Sequence, residues 1–98
     1  MIITSDEIRN IPFGLSGIDS SKPHLRAFLV FLSKTHNLLE KVKVIRISDN
    51  LRENRQDGFN YATRWVVEIE EDNEKNYYLI IQGVDRYYIA KGVRKCFL

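Results

Sequence analysis

The chain has 98 residues, of which 44% are hydrophobic and 29% charged, and its formal net charge is +2 at pH 7. This length and this mixture predict one folded domain, residues 1–98, and argue against a disordered chain. So small a positive charge gives little support to a nucleic-acid partner.

The sequence indicates a soluble protein of a reducing compartment. Cys96 is the only cysteine, so the chain cannot form an internal disulfide. The longest apolar run, residues 27–32, is far shorter than the roughly 20 residues of a membrane helix. The first residues carry neither a basic start nor a long apolar stretch, so no secretory signal is expected. These features predict a cytoplasmic protein without a membrane partner.

Residues 1–22 are predicted to be irregular apart from one short helix. Thr4 and Glu7 have the spacing of a capping box, which predicts a helix over about residues 5–10. Proline, glycines and an Asp-Ser-Ser run follow and favour irregular chain. The segment is too apolar for a free tail, so we expect it to dock on the domain through Ile2, Ile3, Ile8, Ile11, Phe13, Leu15 and Ile18.

The main helix is predicted over residues 23–39. Pro23 is well tolerated at the first helical position, where its missing N–H costs nothing. Ala27, Val30 and Phe31 make the back of this helix apolar, so the N-terminal segment or a second subunit must cover it. One stripe is expected to face the sheet: Leu25, Phe28, Leu29, Leu32, His36 and Leu39.

Residues 41–93 change to the two-residue period of β-strands and predict an antiparallel sheet. Four strands are expected, over about 41–48, 59–70, 77–83 and 87–93, with a polar loop at 49–58 and a hairpin tip at 72–76. Residues 94–98 form a tail that extends the last strand or crosses the sheet edge. The expected fold class is α+β: one main helix packed on a four-stranded antiparallel meander in two layers, with a docked N-terminal segment.

One face of this sheet is predicted to meet the helix, through Trp65 and the odd-numbered residues of its strand, and the other face to be open. The open face is predicted to be half apolar, whereas a solvent-exposed face normally alternates to polar residues. We therefore expect it to bind a protein partner or a second copy, in an interaction or regulatory role, through Arg64, Val66, Tyr78, Ile80 and Tyr88. The alternative interpretation is a different strand register, or a face covered by the N-terminal segment or the tail.

Nucleic-acid binding is the second hypothesis, because tyrosines on a sheet can stack bases and a basic rim can follow phosphates. Its candidate residues are Arg46, Arg52, Arg55, Arg64 and Arg86. The low net charge and the lack of an RNA-binding signature motif count against it.

No catalytic residue, metal site or cofactor is predicted. His24 and His36 lie roughly 18 Å apart by helix rise, so they cannot share an ion. His36 is interpreted as a core or boundary histidine, and Cys96 as a small buried hydrophobe. The glycines match no phosphate-binding loop. The third hypothesis is an enzyme or small-ligand binder with a pocket under a curved sheet, lined by Ala62, Trp65, Ala90 and Gly92.

The acidic residues are concentrated in residues 67–76: Glu68, Glu70, Glu71, Asp72 and Glu74. Their spacing is not that of a calcium-binding loop. The segment is therefore interpreted as a solvated turn.

Overall fold

The computed structural model describes residues 1–54 and 61–92. In chain order the elements are β1 (Ile2–Thr4), α1 (Ser5–Arg9), α2 (Pro23–Thr35), a 3-10 turn (Leu39–Lys41), β2 (Val42–Ile47), β3 (Leu51–Asn54), β4 (Tyr61–Glu71), β5 (Glu74–Gln82) and β6 (Arg86–Lys91). Within these ranges no helix has the length and apolar character needed to cross a membrane. Arg55 and the tail 94–98, with Cys96, lie outside the described residues.

The strands form one antiparallel sheet in the order β1-β6-β5-β4-β2, and β3 also pairs with β4, so β2 and β3 share one edge. Hairpins join β4 to β5 and β5 to β6, as the meander predicts. The α+β class, with one main helix on an antiparallel sheet, is confirmed. The described sheet has two strands more than predicted, β1 and β3.

Both additional strands are short, and they lie in regions where the residue types favour irregular chain. β1 inserts beside β6 at the far end of the sequence, where the Met1 amine donates to the Ile89 carbonyl oxygen at 2.8 Å. Ile3 is fully buried by this pairing. The Thr4 N–H donates to the Glu7 carboxylate at 2.9 Å, so the predicted capping box begins α1 directly after β1.

The main helix ends at Thr35, four residues before the predicted limit of 39. The backbone of His36 is extended, and its N–H still donates to the Leu32 carbonyl oxygen at 2.8 Å. Its imidazole turns to the end of β4, where it contacts Glu71. The helix therefore ends just before the residue whose side chain contacts the sheet, whereas periodicity alone lets it continue.

α2 is apolar nearly all round and is buried accordingly. Phe28 and Phe31 meet the ring of Tyr78 on β5 edge to face, with centroids 5.5 and 5.2 Å apart. The Arg26 guanidinium donates to the carbonyl oxygen of Ile8 at 2.7 Å and to that of Arg9 at 2.8 Å, which ties α1 to α2. The N-terminal segment packs against the same core through Ile8, Ile11, Leu15 and Ile18, as predicted.

The prediction that Tyr78 and Ile80 lie on the open face of the sheet is wrong. Both are buried in the core on the helix side, at 2% and 0% exposure. The hairpin turn contains only Asp72 and Asn73, so β5 begins at Glu74 and pairs Tyr78 with Val67. Directly paired residues share a face, so this register places Tyr78 on the helix side with Val67. The odd-numbered face of β4 does meet the helix layer, as predicted.

The first turn of α2 is held on the sheet by a ring stack. The imidazole of His24 lies parallel to the indole of Trp65, with centroids 3.9 Å apart and planes 3° apart. Burial lowers the pKa of His24 from 6.5 to about 4, and the neighbouring Lys22 acts in the same direction. The stack therefore holds a neutral histidine at neutral pH.

His24 makes folding stability depend on pH. Between pH 6.5 and about 4 the unfolded chain binds a proton at His24 and the folded chain does not. The free energy of unfolding of the wild type should therefore fall as the pH is lowered through this window. His24→Phe keeps the ring but removes the titration, so its denaturation curves should lose this part of the decline. Equal slopes for both proteins would contradict the assignment.

Candidate functional site

The side of the sheet opposite the helices is the main candidate surface, and we call it the outer face. α1, α2, the 3-10 turn and the N-terminal segment pack against the core on the other side. Among the described residues, only the strands and their turns therefore form the outer face. The registers place six apolar residues at its centre, with Arg64 beside them: Ile2, Val66, Leu79, Ile81, Tyr88 and Ala90.

The centre of the outer face is a continuous apolar patch across four strands. Ile2 of β1 and Tyr88 of β6 are direct cross-strand neighbours and are 48% and 40% exposed. Ile81 lies beside Tyr88 on β5 and is half-buried, as is Leu79 one row away. Val66 on β4 is fully buried beside Leu79. Exposure therefore increases from β4 toward the β1 edge.

The position of Tyr88 depends on a glycine. A Cβ added to Gly83 would lie 2.9 Å from Cε2 of Tyr88, which is closer than real Cβ atoms approach other atoms. The ring therefore occupies the space above Gly83 at the end of β5. A side chain at position 83 would displace the ring from the patch.

Three of the predicted partner-binding residues lie on the outer face: Arg64, Val66 and Tyr88. Tyr78 and Ile80 lie on the opposite side. Leu79 and Ile81, the odd-numbered residues of β5, lie on the outer face instead. The length of the preceding turn determines this, and the alternation within the strand does not reveal that length. Ile2 was missed because β1 was read as irregular chain.

The arginines of the nucleic-acid hypothesis are partly brought together. Arg46, Arg64 and Arg86 share the outer face by register, and Arg52 belongs to β3. The Nε atom of Arg46 lies 3.5 Å from Glu68, which is buried and also accepts from the Tyr77 hydroxyl at 2.9 Å.

The pocket predicted under a curved sheet does not form in that arrangement. Trp65 lies on the helix side, stacked on His24, whereas Ala90 lies on the outer face. Residues on opposite faces of one sheet cannot line a common cavity.

A second candidate site surrounds the carboxylate of Glu71 at the end of β4. Its Oε1 accepts from the Tyr78 hydroxyl at 2.9 Å and from Asn76 Nδ2 at 2.7 Å, and the Lys91 ammonium lies 3.8 Å away. Its Oε2 faces Nε2 of His36. Glu71 is thus not a solvated turn residue, and nothing in the local sequence distinguishes it from its acidic neighbours.

The electrostatics of this cluster favour an ionised Glu71. Burial acts to raise the pKa of Glu71, but the hydrogen bonds from His36 and Tyr78, with the nearby Lys91, outweigh it and hold the pKa below 4.5. Burial, and then the hydrogen bond to Glu71, raise the pKa of Tyr78, so its hydroxyl remains a donor.

The histidine of the cluster is anchored on both sides of its ring. Nδ1 of His36 lies 2.8 Å from the Thr35 hydroxyl oxygen, while that hydroxyl donates to the Phe31 carbonyl oxygen at 2.9 Å. Both ring nitrogens therefore lie next to oxygen atoms that can accept a hydrogen bond. The arrangement ties the end of α2 to the β4–β5 hairpin. In the described part of the chain, no group of three His, Cys, Asp or Glu side chains could hold a metal ion.

Removing the Glu71 charge should destabilise the fold. We expect Glu71→Gln to lower the free energy of unfolding at neutral pH by about 1.5–3 kcal/mol, the range for hydrogen bonds to charged groups. Since the folded-state pKa lies below 4.5, wild-type stability should also fall as the pH is lowered through and below that value. Urea denaturation at several pH values should show this acid-dependent part diminished in the variant.

Glu40→Gln is the matched control, because Glu40 is an exposed carboxylate in the 3-10 turn. It should change stability by no more than about 0.5 kcal/mol. An equal loss in both variants would show that the Glu71 cluster contributes no special stability.

Comparison of the chain with protein-family models, with curated proteins and with solved structures finds no match. Function is therefore inferred from the positions and the chemistry of the side chains.

Proposed function

We propose that this protein is a protein-interaction module that associates with a second copy of itself through the outer face. The observation that carries the proposal is the accessible part of the apolar patch, on a side of the sheet where the described residues place no helix; it consists of Ile2, Leu79, Ile81 and Tyr88. Contiguous exposed apolar surface of this kind commonly marks an interface. The regulatory role expected from the sequence belongs to this same proposal.

The shape and chemistry of the patch suit a two-fold dimer. A two-fold interface brings the same surface of two subunits together, so an apolar centre is complementary to itself without any matching of charge. Two sheets can pack face to face at about 10 Å with interdigitated side chains. Arg64 and Arg86 lie around the patch, where a polar rim is expected.

A charge pair placed in the patch should separate the subunits. Ile2→Lys with Tyr88→Glu puts opposite charges on directly paired residues, so the sheet keeps a favourable cross-strand contact while the face becomes polar. Light scattering after gel filtration should show a dimer for the wild type and a monomer for this double variant. Circular dichroism should show that the double variant keeps the fold of the wild type.

Val84→Lys is the matched control for this experiment. Val84 is 84% exposed in the β5–β6 turn, outside the patch, so the variant should remain a dimer. A wild type that stays monomeric at high micromolar concentration, or a double variant that dimerises as well as the wild type, would contradict the proposal.

Nucleic-acid binding through the same face is the second candidate function. It is favoured by Arg46, Arg64 and Arg86 lying on one face with the exposed ring of Tyr88. Arginine side chains can neutralise phosphates, and tyrosine rings can stack bases.

This alternative predicts salt-dependent binding. Fluorescence anisotropy with labelled single-stranded DNA and RNA should show weaker binding for Arg64→Ala with Arg86→Ala, and a shallower dependence on salt concentration. Arg9→Ala, on α1 at the other side of the sheet, is the control and should bind like the wild type. Binding that is indifferent to salt and to both arginines would exclude this function.

A further inference from the structure

A groove runs along the free side of β2, on the opposite edge of the sheet from β1. It is open to solvent, has a volume of about 790 Å³ and lies between β2, the 3-10 turn and the loop of residues 13–17. Its apolar lining comes from the half-buried Phe13, Leu15, Leu39 and Val44 and the buried Val42. This volume lies within the range of known ligand sites.

The groove exists because two different segments cover the helix side of the sheet. α2 packs most closely on β1, β6 and β5, while the loop lies over β2. The turn at Leu15–Ile18 closes one end, where Leu15 O accepts from Ile18 N–H at 3.1 Å and Gly17 has φ +90°. A Cβ on Gly17 would lie 3.1 Å from Cβ of Val44, so the turn sits directly on the strand.

The strand beside the groove has one backbone edge with which no described strand pairs. Among the described strands, β4 is the only one that pairs with β2. The register shifts between Val44 and Arg46, which interrupts the regular ladder after Val44. The regular part of the edge is therefore Val42–Val44, the same three residues that line the groove.

Charge at this edge argues against a second copy as the occupant. A symmetric antiparallel pairing centred on Lys43 would place Lys43 against Lys43, and like charges directly opposite destabilise a sheet. Lys43 has Glu70 of β4 as its cross-strand neighbour on the paired side. Even so, Lys43 and the nearby Lys41 are exposed and form no ion pair within 4 Å with the other described residues. An acidic side chain opposite Lys43 would complement it.

We propose that this groove binds an extended peptide segment of another protein, which adds to β2 as a strand. Side chains of an added strand alternate between its two faces, so apolar residues enter the groove and an intervening acidic residue lies beside Lys43. The backbone edge supplies affinity, while the groove and Lys43 supply specificity. This site lies on β2 and is independent of the outer-face patch.

The test uses a short peptide in which valine and glutamate alternate, and a matched peptide with lysine in place of every glutamate. Titration of the acidic peptide to millimolar concentration should shift the amide NMR signals of Val42, Lys43, Val44 and Gly14. The lysine peptide should bind at least about tenfold more weakly. Lys43→Glu should reverse this preference, because it exchanges the attractive and the repulsive pair.

Gly14→Trp tests the groove without relying on charge. Gly14 lines the groove, and an added Cβ there meets no other atom within 4 Å, so the fold should tolerate the substitution. The indole should occupy the groove and weaken binding of the acidic peptide by about tenfold or more. Thermal melting must show that the variant is folded.

Two controls separate this site from the rest of the surface. Lys75→Glu makes the same charge change on β5, two strands away, and should bind the acidic peptide like the wild type. Ile2→Lys with Tyr88→Glu should also bind it normally, whether or not the outer face forms a dimer. No amide shifts at millimolar peptide, shifts that map elsewhere, or undiminished binding to folded Gly14→Trp would overturn the proposal.

Discussion

The two-residue turn at Asp72 and Asn73 is the constraint on which both faces of the sheet depend. Both residues have positive φ, 51° and 64°, as in tight hairpins whose twist matches that of their strands. A slip of one residue would move every side chain of β5 to the other face. Tyr78 would then leave the aromatic contacts of α2, and Ile81 would leave the outer face. The same turn thus decides what the helix packs against and what the protein offers to a partner.

Where local pattern is decisive, the sequence predicts this fold well. The proline start of α2, the capping box at Thr4 and the alternation of β4 each follow from neighbouring residues. The apolar run of residues 77–81 is different, because side chains of either parity could face the core. Turn length alone resolves that ambiguity, and a polar stretch such as residues 72–76 admits several turns. The short strand β1 forms only by pairing with β6 far along the chain, and β3 only by pairing with the long strand β4. Neither is therefore indicated by its own residues.

The candidate sites were less predictable than the fold because each is assembled from distant segments. His36 and Glu71 are ordinary residues locally, and they meet only because the end of α2 lies over the end of β4. The groove needs the loop 13–17 to rest on β2, which no periodicity indicates. Of the outer face, the sequence predicts Arg64, Val66 and Tyr88, whose strands have clear alternation. It assigns the β5 residues to the wrong side, because the length of the turn at Asp72 and Asn73 sets their register and cannot be read from the pattern.

The pairing of β1 with β6 has a consequence for how the chain folds. The Met1 amine and the Ile89 carbonyl are 88 positions apart, so this contact closes a loop of almost the whole chain. Closing so long a loop is entropically costly and slow compared with forming the β4–β5 hairpin. During synthesis, Ile3 remains without its partner strand until β6 has left the ribosome. The β1 edge of the core should therefore be completed last, and until then the apolar surface of α2 is open to chaperones or to misassembly.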